Sequence, residues 1–436
     1  MKKAIITVFI LLISAAGIIF AFDYVSNRET PDISPEHNQT ASSDIGDISP
    51  PKEQNTSAFT ATAKPSFSTP TANEPSIVTP IVTPSIATAA STEPSVQAPV
   101  SSSVSSPAIP TPDISEPLTV TALPNDENTL TLSFGGDVLL DGSVANVINN
   151  KGANYILSDV KPILAGADIS MINLECPIST RGTKAKDKQF TFRAKPSSVD
   201  VLTSAGIDIV TLANNHILDF GQDAMLDTFT YLDKAGIKYV GAGHDLDEAS
   251  IAKYFKVDDF NVAIIGSSHV IPVVEWNAGK NKPGVATTYN PTRLLSEIST
   301  AKKNADIVVV YVHWGTERNT KPDTYQRNLA KKYIDGGADL VIGAHPHVLQ
   351  GFEFYNGKLI AYSLGNFVFT NVKNDTMILN VAFNKDKSYT ATISPCAIEN
   401  YRPVLLKDKN KQQQLFDKLQ QLSFNAKVDK KGVISE

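Results

Sequence analysis

Two histidines flank one proline in VIGAHPHVLQG, His345 and His347, at the end of an apolar run, in a chain with only 7 histidines among 436 residues. Four other apolar runs also end on residues able to hold an ion or move a proton. LTLSFGG leads to Asp137, ADISMINL to Glu175, IDIVTLA to Asn214, Asn215 and His216, and ADIVVVYV to His313, with Glu317 four residues on. Imidazole mixed with carboxylate suits Zn, Mn, Fe and similar divalent ions. Such ions polarise a phosphoryl or acyl oxygen and lower the pKa of a bound water toward about 7. Each residue alone has an ordinary reading too. Asp137 could cap a helix, Glu175 could close a turn before Cys176, Asn214 and Asn215 could be turn formers, and Trp314 could be simple packing. Recurrence at five run ends favours one shared metal site.

The elements that must position these residues follow from the pattern. In extended backbone residues i and i+2 point the same way, and a proline pushes its predecessor toward extended geometry. That predicts His345 and His347 projecting in parallel from a strand end. Near-continuous β-branched runs alternate with amphipathic stretches such as PSSVDVLTSAG, GQDAMLDTFTYLDKAG and DTYQRNLAKKYIDGG. This alternation predicts an α/β domain with its sheets covered on both faces, over residues 128–400. Gly206, Gly236 and Gly336 are placed to end three helices. Residues 376–395 read as a late β-hairpin, and 401–436 as an extension carrying a surface helix near 409–423. In open α/β sheets, sites gather outside the carboxyl ends of strands, where the five run ends fall.

The first third of the chain differs. Residues 4–22, AIITVFILLISAAGIIFAF, are uncharged and follow Lys2 and Lys3. Such a run suits a hydrocarbon core of about 30 Å. The exit FAFDYVSN is a poor cleavage site, so 1–23 reads as a signal anchor, with secretion after cleavage as the alternative. The lysines favour a cytoplasmic N-terminus and an extracytoplasmic remainder. Residues 24–127 are rich in Ser, Thr, Pro and Ala, and 15 of the 26 prolines fall within 31–117. Too few large apolar residues are present to offset chain entropy, so this segment reads as a disordered stalk. Only 2 cysteines occur, Cys176 and Cys396. That excludes a disulfide framework and leaves two separate thiols as the expectation, with a single bridge open. The net charge of −6, without a basic cluster, speaks against nucleic acid as a partner.

The ordered set GD, NLE-x-P, NNH-x-x-D-x-G, HWG-x-E, GAHPHVLQ and YSLGNF, across roughly residues 130–370, resembles the CapA family of bacterial capsule and poly-γ-glutamate synthesis proteins. That family resembles calcineurin-type metallophosphoesterases, which implies a four-layer α-β-β-α sandwich of two mixed sheets. Matched motif by motif, the resemblance implies metal ligands at Asp137, Glu175 (bridging), Asn215, His313, His345 and His347, and a histidine beside the substrate at His216. Two departures stand out: Leu139 occupies the place of the second histidine of D-x-H, and Glu175 stands where that superfamily has aspartate. One or two ions, of Mn, Zn or Fe type, are compatible with this set.

In the catalytic reading, His216 protonates a leaving group or stabilises charge. Asp219 orients it, or caps the helix near Gly221. Glu317 orients His313 from behind, or is solvated. Arg193 meets an anionic substrate, or forms a surface ion pair. Asn214 and Asn366 belong to the surrounding shell. The expected role is that of an anchored factor in making, exporting or attaching an envelope polymer such as poly-γ-glutamate, beside a synthase in the same membrane. The alternatives are a metal-dependent phosphoesterase and a non-catalytic polymer-binding module.

Overall fold

The apolar runs become strands because each side of each sheet is covered. A computed structural model describes residues 128–370 and 374–436; the expected anchor (1–23) and stalk (24–127) lie outside the described residues. The first half runs β1 (Thr129–Val138), α1 (Ser143–Lys151), β2 (Ile169–Leu174), α2 (Val199–Ala205), β3 (Ile209–Thr211), α3 (Gly221–Ala235) and β4 (Lys238–Val240). Then come β5 (Lys253–Val257), β6 (Phe260–Ser268), α4 (Thr292–Asn304), β7 (Ile307–His313), α5 (Thr324–Asp335) and β8 (Leu340–Ala344). The chain continues through β9 (Phe352–Tyr355), β10 (Lys358–Ala361), β11 (Asn366–Val368), β12 (Asp375–Asn384), β13 (Tyr389–Glu399) and β14 (Arg402–Leu405). It finishes with α6 (Lys409–Leu422), β15 (Lys427–Val428) and β16 (Val433–Ser435).

Two mixed sheets result. The ten-stranded one has the order β15-β16-β13-β12-β1-β2-β3-β4, with β11 beside β1 and β14 beside β13. The six-stranded one has the order β9-β10-β8-β7-β6-β5. β1 to β4 are mutually parallel, as are β6, β7, β8 and β10. Their carboxyl ends therefore align within each sheet.

Along β7 the side chains divide with the period of two that a pleat imposes. Val308, Val310 and Val312 pack with Leu294 and Ile298 of α4 and Ala330 and Tyr333 of α5. Ile307, Val309 and Tyr311 pack with Leu132, Phe134 and Met171 of the other sheet. On the far side of that sheet, Ile172 and Val210 meet Val144 and Ile148 of α1, Leu202 of α2 and Phe229 of α3. The packing order is thus helices, sheet, sheet, helices. Burial on both faces is why the strands read as unbroken apolar runs. Among the described residues no helix is long and apolar enough to cross a membrane.

Several local expectations need adjustment. Gly206 and Gly236 end α2 and α3 in the left-handed region, at φ 76° and 72°. Gly336 follows α5 in right-handed geometry instead, and Gly337 takes the positive φ of 117°. The 376–395 hairpin is present as β12 and β13. The helix placed near 409–423 is α6, but it is not only a surface element: Leu415, Phe416 and Leu419 join the core between the sheets. Residues 401–436, expected as an extension, add β14, β15 and β16 to the ten-stranded sheet. Cys176 and Cys396 are separate buried thiols.

Candidate metal centre

Five strand ends deliver polar side chains to one place because two sheets present their carboxyl ends together. β1 reaches it through Gly135 and Gly136, where its register against β2 shifts before Asp137. A Cβ on Gly136 would sit on the Gly365 carbonyl, so only glycine lets the chain leading to β11 approach. The Asp137 amide donates to that same carbonyl at 2.9 Å. β2 contributes Asn173 and, just past its end, Glu175; both are fully buried. β7 ends on His313, also fully buried.

Asn173 is the hub, and a strand-end reading misses it because it lies inside an unbroken apolar run. Its Nδ2 lies 2.8 Å from Asp137 Oδ1, 3.3 Å from Glu175 Oε2 and 3.3 Å from His313 Nδ1. Its Oδ1 accepts from Asn214 Nδ2 at 3.0 Å. Asn214 Oδ1 in turn accepts the backbone N–H groups of His216 and Ile217, at 3.0 and 2.9 Å. The NNH turn is thereby locked, and Asn215 Oδ1 is held 2.9 Å from His313 Nε2.

The His345–His347 loop corrects the extended-strand expectation. β8 stops at Ala344, and the two histidines take φ values of 98° and 59°, a region that non-glycine residues seldom occupy. Proline's restriction on His345 is met by leaving the right-handed helical region in the opposite direction from a strand. The imidazoles still converge, with ring centroids 5.8 Å apart and His345 4.6 Å from His313. Such costly backbone persists only where the surroundings over-determine it, and it concentrates at functional sites. Asn366, at the start of β11, faces His347 Nδ1 at 3.0 Å.

Donor atoms fall into three overlapping groups: Glu175, His313 and His345; Asp137, Glu175 and His347; and Glu317, His345 and His347, with all atoms of a group within 4.8 Å of one another. Glu175 Oε1 lies 3.8 Å from both His313 Nε2 and His347 Nε2, and it is buried without a hydrogen-bond partner. His345 Nδ1 is likewise buried and unpartnered. Orphaned acceptors in a protein interior are costly, and a cation relieves both. The residues fit a divalent ion.

The titration pattern agrees with such a pocket. Burial, then the neighbouring Asp137 carboxylate, pushes Glu175 well above the usual carboxylate range. Burial and the other histidines hold His313 far below the ordinary imidazole value, and bring His345 to about 3. Burial works against protonation of His347 as well, but Glu175 and Asp137 outweigh it and carry His347 to about 9. His313 and His345 are thus neutral ligands in waiting, whereas the carboxylate side of the pocket retains a proton.

His216 stands beside this cluster. Its Nδ1 lies 2.7 Å from Asp219 Oδ2 and 3.0 Å from Lys188 Nζ, and Lys188 is paired with Asp219. Asp219 also accepts from the Phe192 amide at 2.8 Å. Asp219 thus orients His216 and does not cap α3, whose N-cap is Phe220. Burial lowers the His216 pKa; Asp219 opposes this and Lys188 adds to it. Lys188 gives no sign in the sequence, since it is one lysine of a loop, KAKDKQF, that reaches the site only through folding.

Glu317 and Arg193 make contacts other than those first expected of them. Glu317 does not back His313, whose ring nitrogens face Asn173 and Asn215; it is exposed and grouped with His345 and His347. Arg193 stacks on Phe220, the N-cap of α3, at 4.1 Å and donates to the Arg181 carbonyl of its own loop at 2.8 Å. Leu139 is fully buried in the core behind the ten-stranded sheet. Trp314 is buried, donating to the Tyr362 carbonyl at 2.9 Å.

Comparison with known proteins places this geometry in context. The family model described as bacterial capsule synthesis protein PGA_cap matches residues 131–371. The chain is 36% identical over 299 residues to the PGA biosynthesis protein CapA of Bacillus subtilis, covering 67% of this chain and 78% of that protein. It is 36% identical over 264 residues to the capsule biosynthesis protein CapA of Bacillus anthracis, covering 58% of this chain and 64% of that one. Among solved structures, a hypothetical protein from Thermus thermophilus aligns with TM-score 0.38 and 17% identity, over 61% of this chain and 99% of that one.

Proposed function

This chain belongs to the bacterial capsule synthesis protein family PGA_cap, and on that premise we propose that it acts in making, exporting or attaching an envelope polymer of the poly-γ-glutamate type, using a metal centre to hydrolyse or transfer a linkage. The observation that carries the metal centre is the orphaned Glu175 Oε1, placed equally between His313 and His347. Asp137, Glu175, Asn215, His313, His345 and His347 would hold the metal. When bound, a divalent ion there supplies positive charge against a developing oxyanion.

The chain's own residues supply the rest. Asn173 fixes the carboxylates of Asp137 and Glu175, so that the pocket is set before ligand arrives. Asp219 holds Nδ1 of His216, which leaves Nε2 to exchange a proton with substrate; because burial lowers the His216 pKa, it would take up a proton before giving one to a leaving group. Lys188, its ammonium beside His216, is suited to meet an anionic substrate such as a glutamyl carboxylate. The apolar segment 4–22 serves as anchor and residues 24–127 as stalk, which would hold the catalytic domain on the outer side of the membrane.

The test is turnover of γ-glutamyl polymer and of a chromogenic phosphodiester by the 436-residue chain and by His216→Ala, with metal content measured in both. Loss of about 10²–10⁴-fold at unchanged metal content is expected. Equal turnover in the two proteins removes the proton-transfer role. Cleavage of the phosphodiester but not of the polymer makes the protein a phosphoesterase instead.

A further inference from the structure

A cleft of about 1000 Å³ opens off the carboxyl end of β6, and none of its lining residues belongs to the metal-donor set. Gly266 and Ser267 line it, and the next residue, Ser268, is the register partner of His313. The first turn of α4 and the short helix Leu246–Ser250 supply further walls. The volume is that of a small-molecule site.

Its frame is fixed by backbone hydrogen bonds. The Ser268 amide donates to the Ala286 carbonyl at 2.9 Å and the Thr288 amide to the Ser268 carbonyl at 2.8 Å, so residues 286–288 run parallel to the end of β6. This segment carries Tyr289 to the rim, where it is 53% exposed. The Tyr289 hydroxyl accepts from the Ile271 amide at 3.2 Å, and its ring meets that of His269 at 4.6 Å. His269 stacks in turn on Tyr325 at 4.3 Å and donates its amide to the His313 carbonyl at 2.7 Å. A row of rings thus links the cleft to the strand that delivers His313.

The lining selects a class of ligand. Its buried Ala278, Ala286 and Leu294 are apolar. Its charged residues are Asp247, Glu297 and Arg293, one acid more than base, which disfavours a polyanion. Arg293 Nη1 donates to Asp247 Oδ1 at 2.9 Å, Glu297 Oε1 accepts the Ala252 amide at 2.9 Å, and Asn290 Oδ1 accepts the Thr292 amide at 3.0 Å. Further donors on Arg293 and Asn290, and further acceptors on Asp247 and Glu297, are left over. A sugar hydroxyl gives one hydrogen bond and accepts up to two, so it needs both kinds of partner side by side. The flat C–H face of a sugar ring needs an apolar surface, which an exposed tyrosine ring offers.

We propose that this cleft is a binding site for a neutral glycan, with Tyr289 as its platform and Arg293, Asn290 and Glu297 as its polar contacts. Its place beside His313 suits a chain that works on an envelope polymer at a sugar-coated surface; that role, unlike the binding itself, rests on the function proposed above.

Binding is measured without turnover. The 436-residue chain, in a detergent that has no sugar headgroup, is titrated by calorimetry with an N-acetylglucosamine tetramer, with maltotetraose and with a γ-glutamyl oligomer. Wild type is expected to bind at least one of the two sugars, and the tighter one tells an acetylated glycan from a plain one. Tyr289→Ala should weaken that binding by about tenfold, and Tyr289→Phe, which keeps the ring, by less than about threefold. Arg293→Met should weaken it by about fivefold. Thermal melts check that each variant is folded. His216→Ala should bind sugar as wild type does, so that a failure of the proposed catalysis and a failure of this site are told apart. Binding of neither sugar, or sugar binding that Tyr289→Ala leaves unchanged, would overturn the assignment. So would binding of the γ-glutamyl oligomer that Tyr289→Ala abolishes, since the cleft would then hold the polymer itself.

Discussion

Asn173 donates its side-chain amide to Asp137 Oδ1 at 2.8 Å, between two parallel strands and wholly out of water. One neutral amide thereby holds apart, and in place, two carboxylates that would otherwise repel. Asn173→Ala should leave the strands intact but lower metal affinity by about 10–100-fold, as loss of a ligand-orienting contact does. Asn173→Asp should be worse, because it adds a third buried carboxylate to Asp137 and Glu175; its melting temperature should fall and recover when metal is added. Calorimetric titration and thermal melts of the three proteins test this. Unchanged metal affinity in Asn173→Ala would show that the amide does not organise the pocket.

Metal uptake should release protons. His347 sits at about 9 and Glu175 is raised well above its usual range, so the metal-free pocket carries at least one proton at neutral pH. Metal must displace it, and affinity should rise with pH up to about 9, by roughly tenfold per pH unit for each proton released. His345, at about 3, contributes no proton. Titration calorimetry in buffers of different ionisation enthalpy counts the protons. Affinity that stays flat between pH 6 and 9 would contradict the protonated pocket.

Removing the Lys188 charge should shift the pH profile. Lys188 helps to hold His216 below its ordinary value, while Asp219 pulls the other way. In Lys188→Met that contribution is gone and burial is left as the main depressing influence, so the His216 pKa rises. The limb of the rate profile that His216 controls should therefore move to higher pH. Asp219→Asn removes the opposing pull and should move it lower. The pair of profiles is the measurement, and shifts in the same direction for both variants would refute the assigned roles.

Glu353 gives a prediction away from the site. It receives Arg327 Nε and Nη2 at 2.9 and 3.0 Å, Tyr362 Oη at 2.7 Å and Lys331 Nζ at 3.1 Å. Burial acts to raise its pKa, but these donors together hold it below the ordinary value. A depressed carboxylate contributes stability above its unfolded value of about 4.3, and loses it as pH falls through the folded value. Glu353→Gln should cost roughly 1–2 kcal/mol at pH 7, since two of the partners are partly exposed. The gap should close toward pH 3. Urea melts at both pH values check it, and a gap constant with pH would mean the carboxylate charge is not what stabilises.

The sequence is informative where a polar residue breaks an apolar run. Asp137, Glu175, Asn215, His313 and the 345–347 pair stand out for that reason, and the structure brings them together. Asn173 does not, because a strand buried on both faces shows no alternation against which one amide is visible. Lys188 does not, because loop lysines are common and only tertiary contact singles one out. Glu317 is visible, but its spacing points to the wrong histidine: His313 is four residues away in sequence, whereas the loop folds over onto His345 and His347. The backbone of those two residues departs from expectation because the restriction before proline excludes helix without requiring strand.

The donor set is divided between two sheets: Asp137, Glu175 and Asn215 on one, His313, Glu317, His345 and His347 on the other. An ion bound across them would therefore be a fastener joining parts of the chain that share no strand ladder. Parting the sheets means letting the ion go. Resistance to heat or urea should then climb with the logarithm of free metal above its dissociation constant, so that the supply of free metal would govern how long the folded chain survives as well as what it can do.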